Sequence, residues 1–310
     1  MARRPQTTRR PQTPRGPPAR FWTPEALASL LEHPLLPAWW VALLVCAARE
    51  AWQLPTLWGA ELFAGKAELS QAFRRMVGPF ASYDILIDGS HDLLTQAGLL
   101  EAMKILLRIC ARGLLWLGTP CQSWIGLSRS FTRRSRIQPE GPPPSRCSST
   151  LSAYLKTHNE LAHRSALFII TANLLKIFIA IEQPTSSLLF EYAPMKNALR
   201  CAMAQPIAMM MQWFDGATPK PLRIFSNAPC IDGLKKKIAA RRMKASKCTS
   251  RLANTDCKGG FTGKARELKE SSGYTRSFGE AWAASFLTAF EDEDADQPAV
   301  IRKRPAGRAP

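Results

Sequence analysis

Three short segments of the chain carry side chains that could do chemistry: Phe63-Ala64-Gly65, Pro120-Cys121-Gln122 and Glu182-Gln183-Pro184. An ionised thiol is a strong nucleophile, a carboxyl group can hold or deliver a proton, and a glycine lets backbone approach a ligand closely. Taken singly, each has an ordinary reading: a small buried hydrophobe, a solvated acid or cap, and a turn. What joins them is position. Each ends an apolar run with the character of a buried strand, at 57–63, 114–117 and 177–181. Open α/β sheets bind ligands at the carboxyl ends of their strands.

The elements needed to hold them follow from periodicity. Residues 23–52 have helical spacing, with Thr23 as a cap ahead of Pro24 and interruptions at Pro34 and Pro37. A strand at 57–63 leads to a helix at 66–77, then a strand at 83–87 ending in Asp88-Gly89, and an amphipathic helix over 93–111. A strand at 114–117, a basic Pro-rich loop at 129–150, a helix at 151–176 and a strand at 177–181 complete the series. Strands alternating with helices at short intervals predict a parallel sheet covered by helices. Beyond about 187 the alternation is lost, and 206–214 and 221–225 read as strands of a separate antiparallel element. The predicted division is a disordered basic arm at 1–20, an α/β domain at 21–190, a small basic module at 191–272, a helix at 273–290 packing back on the first domain, and a disordered tail at 291–310.

Charge narrows the partners. The 310 residues carry 42 Lys and Arg against 24 Asp and Glu, a formal charge of +18. Such an excess favours polyanions. The arm at 1–20 has six Arg and no acid, and 220–269 has 14 Lys and Arg against three acids. The most apolar early run, 35–48, contains Pro37 and is shorter than the roughly 20 residues a bilayer requires, so no membrane span is expected. The 8 Cys include no CxxC pair, so no metal site is predicted; Cys230, Cys248 and Cys257 read as scattered free thiols.

Glu61-Leu-Phe-Ala-Gly65, Thr119-Pro-Cys-Gln-Ser123 and Ile181-Glu-Gln-Pro184 resemble the first, fourth and sixth motifs of cytosine-5 DNA methyltransferases. The wider pattern, including residues 128–140 and 218–224, looks like divergent methyltransferase-like proteins of dinoflagellate algae. The resemblance covers roughly 55–190. It implies a Rossmann-like sheet with flanking helices, S-adenosylmethionine as cofactor, Cys121 as nucleophile at carbon 6 of the base and Glu182 as the acid at N3. Phe63, Ala64, Gly65 and Pro120 would border the cofactor. Asp84 or Asp88 would take its ribose, and Asp92 would reach the adenine. An ordinary turn at Asp88 and a helix cap at Asp92 are equally good readings.

DNA is the implied partner, with RNA as the alternative. A target base inside a duplex must be flipped out, which calls for phosphate contacts near the nucleophile. Arg129, Arg133, Arg134 and Arg136 follow Cys121 closely enough to provide them, and Lys220 and Arg223 are candidates from the second basic stretch. The chain departs from the family pattern in four places. Ala67 stands where a second glycine is preferred, Thr119 where Pro is usual and Gln183 where Asn is common, and the later Arg motif is not recognisable. Those departures keep a second function in view, a non-catalytic nucleic-acid-binding protein on the same fold. The basic tail Arg302-Lys303-Arg304 suits a nucleus, and the Arg-rich start equally suits organelle import.

Overall fold

The computed structural model describes residues 29–244, 253–255, 261–263 and 273–296. The arm expected at 1–20, the cap at Thr23, and Cys248 and Cys257 lie outside the described residues.

After a helical turn at 29–32, helix α1 (Ala38–Ala51) begins directly behind Pro37. Then come β1 (Leu57–Leu62), α2 (Glu68–Met76), β2 (Phe80–Tyr83), α3 (Gln96–Arg108) and β3 (Ile109–Leu117). A long helix α4 (Ser149–Leu174), β4 (Phe178–Pro184) and α5 (Ala193–Cys201) follow. The remainder is β5 (Gln205–Met210), β6 (Pro221–Ser226), α6 (Ile231–Lys244), the short pair β7 (Ala253–Thr255) and β8 (Phe261–Gly263), and α7 (Arg276–Asp296). Local chemistry fixes several starts. The Thr95 hydroxyl accepts from Gly98 N at 3.0 Å ahead of α3, and Ser148 accepts from Leu151 N at 3.2 Å ahead of α4.

One six-stranded mixed sheet runs in the order β2-β1-β3-β4-β6-β5. β1 pairs in parallel with β2 and β3, and β3 with β4; β6 joins antiparallel to β4, and β5 antiparallel to β6. Alternation along β3 divides its side chains between two apolar layers. Leu115 and Leu117 face the layer built with α1, α3, α4 and α5; Leu114 and Trp116 face the layer built with α2, α6 and α7. The fold is thus α/β with helices on both faces, compatible with a Rossmann-like arrangement.

Four expectations are corrected. The strand predicted at 83–87 is β2, which ends at Tyr83; Ile85, Leu86 and Ile87 are 54%, 82% and 47% exposed in a turn held by Asp84. The helix predicted to reach 111 stops at Arg108. Burial of Ile109 and Cys110 draws them into β3 across an irregular register with β1. Residues 205–226 form no separate module, because β5 and β6 continue the main sheet. Helix α7 packs on α2 and extends to Asp296, past the expected end at 290.

Candidate active site

In the order β2-β1-β3-β4 the chain reverses direction of travel between β1 and β3. The crevice outside the strand ends at such a switch point is where doubly wound sheets bind ligands. A cavity of about 900 Å³ opens there. Its wall takes Phe63, Ala64 and Gly65 from beyond β1, Asp84 from beyond β2, Gly118 to Gln122 from beyond β3, and Glu182 from β4. The three segments that carried the chemistry in sequence therefore line one space.

At the β1 end the backbone is unusual. Phe63 and Gly65 have φ of 60° and 54°, and a Cβ added at Gly65 would meet nothing within 4 Å. The turn thus leaves open space above its backbone, as a cradle for a ligand does. Its shape is held from β2: Asp84 Oδ2 accepts from Gly65 N at 2.8 Å, and Asp84 Oδ1 from Leu86 N at 2.7 Å. Asp84 therefore spends both oxygens on the loops that border the cavity. Ala67 adopts a left-handed φ of 55° at the start of α2, the conformation for which glycine is favoured.

Of the other two acids, Asp92 lines the cavity, and its Oδ1 accepts from Leu94 N at 2.9 Å. Asp88 lies outside the cavity wall and is turned to Ser90, whose backbone and hydroxyl hold its carboxylate below the usual range. Asp88 is thus the turn residue of the two readings. Sequence reasoning passed over His91, which stacks on Tyr83 at 4.2 Å, lines the cavity, and keeps a buried Nδ1 without a partner.

At the end of the cavity formed by β3 and β4, Gln183 anchors the loop after β3. Its Nε2 donates to Thr119 O at 2.5 Å, and its Oε1 accepts from Ser187 at 2.8 Å. Thr119 and Ser165 share a hydrogen bond at 2.9 Å. The amide at 183 and the hydroxyl at 119, both departures from the family pattern, thus brace the Cys121 loop against β4 and α4. Cys121 is a half-buried free thiol. Burial and the nearby Glu182 push it up to about 11, while Lys220 pulls the other way. Glu182 is buried, and desolvation holds its carboxyl above the usual range, opposed by Lys220 and by a hydrogen bond from Tyr274. The hydroxyl of Tyr274 donates to Glu182 Oε2 at 3.0 Å and accepts from Trp116 Nε1 at 3.0 Å; Glu182 Oε1 is buried without a partner. Tyr274 comes from just before α7, and no local pattern in the sequence marks it.

The basic candidates separate. Arg129, Arg133 and Arg136 are exposed on the loop beyond Cys121. Arg129 donates to Ser186 O at 2.8 Å and Arg133 to Arg146 O at 3.2 Å, through one nitrogen each. Arg134, expected to meet phosphate, is 3% exposed. It donates to Ser123 Oγ at 2.9 Å, to Pro139 O at 2.5 Å and to Asn159 Oδ1 at 2.9 Å, and lies 3.7 Å over Trp124. It is a structural clamp. Lys220 lies in the cavity wall rather than on an outlying groove, 6.0 Å over the Tyr274 ring. Arg223 pairs through its backbone with Gln183, the residue next to Glu182, and stands outside the cavity wall.

No protein-family model matches the chain, and no curated protein matches it in sequence. Among the described residues, no cluster of three or more His, Cys, Asp or Glu could hold a metal ion, and no helix is long and apolar enough to cross a membrane.

Proposed function

We propose that the chain transfers a methyl group from S-adenosylmethionine to carbon 5 of cytosine in DNA, with Cys121 as nucleophile and Glu182 as acid. The observation that carries this is that Cys121, Glu182 and the Gly65 turn line one cavity at the switch point of the sheet. A volume of about 900 Å³ lies at the upper end of the roughly 300–1,000 Å³ usual for small-molecule sites. The wall fits a nucleoside sulfonium: an unobstructed glycine turn, Asp92 and His91 as polar contacts, and exposed Ile85 and Leu86 for an apolar ring. When bound, this cofactor supplies an electrophilic methyl group.

The residues of the chain supply the rest. Carbon 5 of cytosine is a weak nucleophile until another group adds at carbon 6. Cys121 forms the S–C6 bond as a thiolate, and ring electrons shift toward N3 and carbon 5. Glu182, whose burial favours its protonated form, delivers its proton to N3 and so avoids a buildup of negative charge on the ring. Lys220 favours the thiolate electrostatically. Once carbon 5 has taken the methyl group, N3 returns its proton to Glu182 and a water in the cavity removes the remaining proton from carbon 5. The electrons of that C–H bond rebuild the C5=C6 double bond as the S–C6 bond breaks and Cys121 leaves as thiolate. Arg129, Arg133 and Arg136 supply phosphate contacts on the side of the nucleophile, with an affinity that falls with salt.

The test is incubation of the full chain with labelled cofactor and duplex DNA. Cys121→Ser is expected to abolish labelling, and Glu182→Gln to lower kcat by about 10²–10⁴-fold. Labelling by the serine variant equal to the parent would overturn the mechanism. A matched RNA oligonucleotide separates the two substrate classes. A second reading, a nucleic-acid-binding protein without turnover, draws on the Cys121 thiol being pushed up to about 11. Salt-sensitive DNA binding with no cofactor-induced thermal shift would favour it.

A further inference from the structure

We propose that Trp116 and Tyr274 together fix which oxygen of Glu182 carries the acid proton, which makes Tyr274 a positioning residue for the proton donor. This rests on the reading of Glu182 as the acid of the site.

The inference follows from what each atom can donate. Indole Nε1 donates only, so the 3.0 Å contact between Trp116 and Tyr274 makes the phenol oxygen an acceptor there. The phenol has one proton, and the second contact, also 3.0 Å, directs it to Glu182 Oε2. If Glu182 instead donated from Oε2, the phenol would accept twice and its own proton would be the one without a protein acceptor. With the proton on Oε1, the proton without a protein acceptor is the acid proton itself, and the base of the proposed reaction is its acceptor. Oε2 is therefore the acceptor oxygen, and the carboxylic proton belongs on Oε1. Oε1 is the atom without a protein partner, on a residue that lines the cavity.

The charged and titratable groups around this carboxyl come from several elements. Lys220 precedes β6, Cys121 follows β3, Tyr274 precedes α7, and Glu61 on β1 acts on Tyr274. Only Tyr274 makes a directional contact with Glu182 among the described residues, so it alone sets the orientation of the proton. A base that reaches Oε1 then meets an O–H rather than a carbonyl oxygen, and no rotation of a buried carboxyl group is required.

The experiment is infrared difference spectroscopy of the full chain across a pH titration. The Glu182 carboxyl band is the one missing from Glu182→Gln. In the isosteric Tyr274→Phe, the C=O at Oε2 loses its donor, so the band is expected at higher frequency. The titration also moves to higher pH, because a donor to the carboxylate favours its charged form. 3-Fluorotyrosine placed at 274 keeps the shape and strengthens the donor, so both readouts are expected to move the other way. A purely structural role predicts no such opposed pair. Absence of a Glu182 carboxyl band in the parent, or a band unmoved by both changes, overturns the proposal. Methyl transfer measured on the same samples keeps the readings apart. Opposed shifts without transfer retire the enzymatic reading alone, and transfer without shifts retires the proton lock alone.

Discussion

The thiol of Cys121 sits between opposed influences, and each can be removed on its own. Burial and Glu182 raise it to about 11, and Lys220 lowers it. The rate of alkylation by iodoacetamide is therefore expected to climb with pH toward 11. Glu182→Gln should shift that profile to lower pH, and Lys220→Met to higher pH. A profile unchanged in both variants would mean that neither group reaches the sulfur. Arg134 calls for a different measurement. Arg134→Ala deletes the stack on Trp124 and leaves three polar groups short of a donor, so urea denaturation should report a loss of about 2–4 kcal/mol. Arg129→Ala, Arg133→Ala and Arg136→Ala should leave stability within about 0.5 kcal/mol and each reduce the salt slope of DNA binding by about one. Cys121, Glu182 and the Gly65 turn were legible because each sits within a few residues of a strand end. Arg134 was misread as a phosphate ligand because charge runs carry no information on which member turns inward. Tyr274 was missed because it meets Glu182 from 92 residues away.

In the proposed site, the turn after β1 is the element on which cofactor binding would depend most directly. Alanine at 65 would have open space but a φ of 54°, a strained backbone that costs about 1–2 kcal/mol, and its methyl group would project from the cavity wall. Gly65→Ala is thus expected to weaken cofactor binding in calorimetry by more than it lowers stability. At Gly118, by contrast, an added Cβ would lie 2.9 Å from Phe63 O. Gly118→Ala should displace the β1 turn itself. Most elements were readable from period and flanking turn residues. The exceptions have physical causes. Residues 85–87 are as apolar as a strand yet exposed, with Ile85 and Leu86 in the cavity wall, and 109–113 are bent into β3 by an irregular register with β1, with Arg112 at a φ of 64°. The pair β5 and β6 is antiparallel as its spacing suggested, but pairing with β4 is a long-range event that no local pattern states.

Across the whole molecule, buried ionisable groups tie stability to pH. Glu61 on β1 is fully buried. Its Oε2 accepts from Ser70 N at 2.9 Å and Ser70 Oγ at 2.5 Å, and burial still raises it from an ordinary 4.5 to about 7. Between those values the native protein binds more protons at this site than the unfolded chain does, so stability falls as pH rises through the window and levels off above it. The size is about 3 kcal/mol. His158, lowered to about 4, acts in the opposite sense, losing stability as pH falls from 6.5. The difference between parent and Glu61→Gln in urea midpoints from pH 4.5 to 8 isolates the Glu61 contribution, and a flat difference would count against it. Helix α7 closes the second layer, with Trp282 4.9 Å from Trp116 and Phe286 5.6 Å from Phe73. Trp282→Ala is expected to cost about 3–5 kcal/mol in the same assay.

Because Tyr274 follows Glu182 by 92 residues, the site is not complete when its strands alone have been made. A ribosome adding roughly 5–20 residues per second releases Glu182 on the order of ten seconds before the phenol that will hold it. During that interval the carboxyl group is hydrated and free to ionise, and the nascent polypeptide carries its sulfur and its acid without the shielding that tunes them. Competence for the proposed chemistry therefore waits until the segment that carries Tyr274 has docked.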